Sequence, residues 1–113
     1  MHEHPHRFGK AVNAHGFEPG VVMTIEPSYY REGAFGLRVE NRVEVVTGVA
    51  GFLRFETLTL VPIDLAMVDI EALTSVEIGF LNAYHARVHK ALAGRLSPRA
   101  AAFLERSAQP ISS

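Results

Sequence analysis

Apolar and polar positions divide this chain into two regimes. The first, "GVVMTIEP", is an unbroken apolar run closed by Pro27, the pattern of a strand buried on both faces. "FGLRVENRVEVV" alternates instead. Phe35, Leu37, Val39, Val43 and Val45 fall on one face, and Arg38, Glu40, Arg42 and Glu44 on the other. "FLRFETLTLVP" is rich in β-branched and aromatic residues. These runs predict strands near residues 20–26, 35–47 and 52–61. "SYYREGA", with Gly33 at its centre, and "TGVAG" are the turns between them. Sequential strands on short turns are most simply antiparallel. Residues 1–19, with Pro5, Gly9, Gly16 and Pro19, form a loop.

The period then changes. Thr74 and Glu77 have capping-box spacing, which starts a helix at Thr74. Leu81, Tyr84, Val88, Ala91 and Leu92 make one helical stripe, and Gly94 loosens its end. Ser97 followed by Pro98 starts a second helix, and Pro110 ends it. The expected plan is α+β: a small antiparallel half-sheet followed by a helical tail. There is no internal repeat.

Length and composition narrow the class. With 113 residues there is room for one modest core. Hydrophobic residues make up 48% and charged residues 20%, as in a soluble globular protein. A net charge of −1 points to no nucleic-acid partner. The absence of cysteine removes disulfides and thiolate metal sites. No apolar run reaches the roughly 18 residues of a membrane span. The His-rich start "MHEHPHRFGK" is unlike a signal peptide. The expectation is a soluble, cytoplasmic protein without a membrane association.

The candidate chemistry lies in two carboxylates. Glu40 is on the polar face of its strand, with Arg38 two residues earlier, and could be one end of a solvated ion pair. Glu26 comes after a run that looks buried on both faces. If both face one interior they repel, by roughly 4 kcal/mol at about 4 Å and an effective dielectric of about 20. A shared proton, an arginine or a metal must offset that. Carboxylates with histidine suit hard or borderline divalent ions, Mn²⁺ among them. "HEHPH" reads as a polar loop. His85 and His89 have the spacing of a zinc pair but lack an "HExxH" pattern, so they read as surface or satisfied core histidines.

A set of longer motifs occurs in order: "HEHP", "EPGVVMTIEPSYYREGAFGLRVEN", "FETLTLVPID", "LNAYHARV" and "QPIS". From His2 to about Ile111 they resemble the C-terminal part of Xaa-Pro aminopeptidase (aminopeptidase P), a metallopeptidase of the pita-bread fold. The resemblance implies that residues 1–50 are an incomplete C-terminal part of the catalytic domain. Residues 51–113 would be the C-terminal segment of that family, strand plus helices. It implies two divalent metal ions, usually manganese, held by two aspartates, one histidine and two glutamates. Glu26 matches the first glutamate, a ligand of one metal, and Glu40 the second, which bridges both. His2 matches a histidine that contacts substrate and helps move protons. Arg38 and Tyr30 match residues that help arrange substrate and carboxylates. The implied substrate is a peptide with proline in second position, and the implied complete enzyme is a homodimer.

Two features of the family pattern are absent. The aspartates and the ligand histidine precede the matched region, so the isolated chain is expected to be inactive. The family commonly has glycine where this chain has His4 and Ser28, which bears on backbone geometry. Met1 falls where the family commonly has valine, so the chain is expected to be a truncated product or to start inside a longer reading frame. The alternative is a non-catalytic remnant that serves as a dimerisation or binding module. A fragment of the sheet should also expose apolar side chains on one face.

Overall fold

The computed structural model of the chain describes residues 5–112. Two compact units are present, Met1–Thr59 and Leu60–Ser113.

The described residues of the first unit hold β1 (Val22–Ile25), β2 (Ser28–Arg31), β3 (Phe35–Arg38), β4 (Asn41–Thr47) and β5 (Leu53–Thr57). All pairings are antiparallel, as the short turns require. One sheet has the order β1-β4-β5, and β2 and β3 form a separate two-stranded ribbon. Met23 stands opposite Val43, and Val45 opposite Phe55. Among the described residues of this unit, Met23, Val43 and Val45 are the buried apolar side chains. Phe8 and Phe17 from the leading loop set their rings edge-on to Phe55, at centroid distances of 5.3 and 5.8 Å.

The strand expected over residues 35–47 is two strands, interrupted at Val39 and Glu40. "SYYREGA" is likewise not all turn, because Ser28–Arg31 is β2 and only the residues around Gly33, at φ +66°, make the reversal. The reason lies at Pro27, which has no N–H to give to a ladder. Its carbonyl still accepts from Val39 N–H at 3.2 Å, so the two chains stay in register while the ladder breaks. Phe35, Leu37 and Val39 therefore do not share the core of Val43 and Val45. They are exposed, with Tyr29 and Tyr30 beside them, so apolar side chains do stand open on this ribbon. The third strand is shorter than expected and ends at Thr57, although Leu58 N–H still donates to Arg42 C=O at 2.8 Å.

The second unit has two short 3-10 turns, then α1 (Ser75–Leu92) and α2 (Pro98–Ser107). Both starts use the expected chemistry. Thr74 and Glu77 close a reciprocal capping box, and the Ser97 hydroxyl accepts from Ala100 N–H with Pro98 in the first turn. Tyr84, Val88 and Leu104 form the core, with Leu60, Ile63, Leu92, Leu96 and Ala108 packed on it. Three polar side chains of α1 bind irregular backbone. The Tyr84 hydroxyl donates to Val61 C=O at 2.8 Å, and His85 Nε2 accepts from Ile63 N–H at 3.1 Å. The Asn82 amide pairs both ways with the Ile111 backbone, at 3.0 and 2.8 Å. Among the described residues, no helix is long and apolar enough to cross a membrane.

Candidate functional site

The two glutamates occupy the break in the ribbon. Ile25 faces Asn41 on one side of it and Ser28 faces Arg38 on the other. Three steps along each strand separate these pairs, so the register is unbroken and Glu26 stands opposite Glu40. Like charges in directly opposed positions destabilise a sheet. Arg38 answers that repulsion, with its Nη1 3.4 Å from Glu26 Oε2 and 3.6 Å from Glu40 Oε2. The side chains of Arg38, Glu26 and Glu40 are 39%, 29% and 42% exposed, so this is a surface site partly screened by water.

The rest of the guanidinium is held from β2. Nε donates to Ser28 Oγ at 3.1 Å, and Nη2 donates to the Tyr30 hydroxyl at 2.9 Å. Ser28 and Tyr30 are two residues apart, so the strand period puts both acceptors on one face. Ser28 Oγ also donates to Glu26 C=O at 2.9 Å, and Thr24 Oγ1 donates to Glu26 Oε2 at 3.1 Å. The hydrogen bond from Arg38 is the leading cause that holds the Tyr30 phenol below its ordinary pKa. The same bond to Tyr30, then the charge of Glu26, raises Arg38. Tyr30 lies directly over Gly36, its partner in the ladder, where a Cβ would come within 2.5 Å of the ring. Glu40 also lines an open groove of about 510 Å³ with Thr24, Arg42, Leu58 and Thr59.

Of the residues singled out in the sequence, Glu26, Glu40, Arg38 and Tyr30 come together in this cluster. His2 lies outside the described residues, as does His4. Thr24 was not singled out, and Ser28 only as a departure from the family's glycine. Thr24 carries a usable signal, a hydroxyl on β1 two residues before Glu26. Ser28 is not among the positive-φ residues, so a side chain fits there without strain and the family's glycine is not required by the backbone. The histidines of α1 are core and surface. His85 is 1% exposed, and His89 pairs with Glu105 at 2.6 Å. His85 is only half satisfied, because its Nδ1 has no partner.

The donor chemistry suits part of a metal centre. Two carboxylates turned to one place are oxygen donors for hard or borderline divalent ions. Among the described residues, no group of three or more His, Asp or Glu side chains is assembled to hold an ion. The positive charge between the carboxylates is the guanidinium.

An antiparallel sheet carrying paired carboxylates, followed by a helical tail, makes an α+β fold that matches the C-terminal portion of a pita-bread metallopeptidase. The family model described as the C-terminal region of peptidase M24 matches residues 51–111. The chain thus belongs to the M24 peptidase family and corresponds to the C-terminal part of aminopeptidase P. It is similar to Xaa-Pro aminopeptidase app-1 of Caenorhabditis elegans, 45% identical over 83 residues, covering 69% of this chain and 14% of that protein. It is similar to Aminopeptidase P1 of Arabidopsis thaliana, 32% identical over 121 residues, covering 99% of this chain and 19% of that protein. The crystal structure of an X-prolyl aminopeptidase from Caenorhabditis elegans, described as a cytosolic enzyme with a di-nuclear active site, superposes with a TM-score of 0.76 at 38% identity. That match covers 84% of this chain and 17% of the other. The chain spans less than a fifth of the length of these relatives. The matched region begins at Gly51, whereas the compact units divide after Thr59, so β5 belongs by contacts to the sheet and by sequence to the helical segment.

Proposed function

We propose that this chain supplies the C-terminal part of a dinuclear Xaa-Pro aminopeptidase, a cytoplasmic hydrolase that releases an N-terminal residue preceding proline. The observation that carries the proposal is the facing pair Glu26 and Glu40 with Arg38 shared between them. Glu26 would ligate one metal and Glu40 both. When bound, two divalent ions, manganese by the family resemblance and consistent with oxygen donors, would supply an activated water and a Lewis acid. The residues of this chain do the positioning. The ribbon sets the carboxylates opposite each other, Arg38 offsets their repulsion, and Thr24 fixes one oxygen of Glu26. Tyr30 and Ser28 hold Arg38. Both glutamates sit directly beside strand ends, Glu26 after β1 and Glu40 before β4, and rigid strands hold such groups more closely than loops do.

Two carboxylates make an incomplete centre, so residues 1–113 alone should not cleave Xaa-Pro peptides with Mn²⁺ added. A polypeptide carrying the family's two aspartates and histidine should restore turnover, and Glu40→Gln should abolish it again. The assay is cleavage of a proline-containing peptide by chain purified free of host peptidases. Mn²⁺-dependent turnover by the unaided chain, lost in Glu26→Gln, would overturn the inactivity and show a self-sufficient site. A second reading, a non-catalytic binding or dimerisation module, draws on the exposed Tyr29, Phe35 and Leu37 of the ribbon. Self-association that disappears in Phe35→Ser, with no restored turnover on complementation, would favour it.

A further inference from the structure

We propose that Ser28 is a positioning residue of this site, whose hydroxyl ties the Glu26 backbone to Arg38 and so keeps Nη1 between the two carboxylates. This role deepens the metallopeptidase reading and rests on it for the function of the carboxylates.

The guanidinium has a fixed shape. Its five N–H donors lie in one plane, in set directions. Nε and Nη2 form the fork along one side, and both teeth are occupied from β2, by Ser28 Oγ at 3.1 Å and Tyr30 Oη at 2.9 Å. Two bonds to one rigid plane fix both its position and its rotation. Nη1 is then left to face Glu26 and Glu40. With a single tooth held, the plane would swing about the remaining bond and Nη1 would leave the midpoint between the carboxylates.

Ser28 is suited to this in three ways. It stands opposite Arg38 in the ladder, where cross-strand side chains meet. Its hydroxyl is used in both senses, accepting from Nε and donating to Glu26 C=O at 2.9 Å. It therefore joins the backbone of one proposed ligand to the cation that serves both. Its side chain is exposed and fills no core, so packing does not account for it. Glycine at this position would satisfy the backbone equally well and would leave Nε–H to water.

The test is made on the full chain without metal, by NMR of the Arg38 Nε–H group and by ultraviolet titration of the Tyr30 phenol. Ser28→Gly and Ser28→Ala should each speed exchange of the Arg38 Nε–H about tenfold, the scale of one lost hydrogen bond. Both should also let the Tyr30 phenol titrate at higher pH. Ser28→Thr, which keeps the hydroxyl and suits a strand, should restore both signals. Unchanged Nε–H exchange in the alanine variant overturns the proposal, as does failure of threonine to restore it. The amide spectrum of β4 and β5 confirms that the sheet persists, and the alanine variant answers any loss of fold peculiar to glycine. Since no metal enters these measurements, they fail or succeed apart from the metallopeptidase reading. That reading falls instead if Mn²⁺ never broadens the signals of Glu26 and Glu40 in the complemented protein.

Discussion

In Leu60–Ser113 the polar side chains against the core are spent on backbone. Tyr84 closes the Val61 carbonyl, His85 the Ile63 amide, and Asn82 both polar groups of Ile111. In Met1–Thr59 the polar cluster closes on itself instead. Arg38, Ser28, Tyr30, Thr24 and the two glutamates bond mainly to one another, at the surface. Motifs of both units carry the family resemblance, but for different physical reasons. "LNAYHARV", "LVPID" and "QPIS" are tied to one another by the hydrogen bonds of Tyr84, His85 and Asn82, so their residue types are set by packing. "TIEPSYY" and "GAFGLRVEN" face each other across a break in a ribbon and leave their ionisable groups open, so theirs are set by chemistry. Most buried polar groups are paired in a folded protein, the Nδ1 of His85 being an exception among the described residues; exposed ones need not be.

The sharpest way to break that contrast is to compare truncations of apolar side chains. Leu104→Ala, at a position 4% exposed, should destabilise the helical unit by about 2–5 kcal/mol. Leu37→Ala, at a position 40% exposed on the ribbon, should cost well under half of that. Urea titration followed by helical circular dichroism for the first, and by amide NMR of the ribbon for the second, gives both numbers. Equal losses would mean that the ribbon has a core of its own and that the contrast is false.

Acid should separate the units next. Burial lowers the pKa of His85 below its ordinary 6.5, and the bond that Nε2 accepts from Ile63 N–H favours the same neutral form. The imidazole is neutral in the fold, with Nε2 accepting; protonation would set a donor against a donor and bury a charge. A depressed histidine pKa means that the unfolded chain takes up the proton first. Its contribution to stability is complete above about pH 6.5 and is lost as pH falls from there toward the lower folded value. Urea midpoints of the helical unit should therefore drop as pH falls below about 6.5, and His85→Gln should flatten that slope. A slope unchanged in His85→Gln would assign the acid sensitivity elsewhere.

A smaller effect belongs to the helix start. Thr74→Ala removes the acceptor for Glu77 N–H and one side of the capping box, and should cost about 1 kcal/mol. Thermal melts at neutral pH measure it. The Glu77 carboxyl is held below its usual value by the Thr74 side chain and then by the Thr74 backbone, so the stabilisation should fade in acid.

Legibility in the sequence divides along the same line. Thr74, Glu77, Ser97 and Pro98 act through neighbours three residues away or fewer, and local spacing shows such signals directly. The break in the ribbon was hidden because it inserts no residue. Alternation runs through Val39 and Glu40 unchanged while the ladder stops, and the missing N–H of Pro27 was the one local sign. Ser28 shows in the sequence only as a departure from the family's glycine, and its role is hidden because a serine on a wet strand face is unremarkable until its opposite number is known to be Arg38. The pairing of His85 was equally out of reach, since the donor to its Nε2 is Ile63, twenty-two residues away in the chain.

The least change in stability, and the most specific change in chemistry, should come from Arg38→Lys. An ammonium keeps the charge but loses the planar fork, so it cannot hold Ser28 and Tyr30 side by side while facing both glutamates. The bond from Arg38 is the leading cause of the lowered Tyr30 pKa. Its loss should move the phenol titration upward even though a positive charge remains nearby. The sheet itself has little at stake. Met23, Val43 and Val45 carry its core, and Arg38 lies outside it. The expected result is an unchanged thermal midpoint together with a raised Tyr30 titration, read by absorbance. A large fall in midpoint with no movement of the phenol would reverse the assignment, making Arg38 a structural strut like Asn82 and erasing the distinction between the two units.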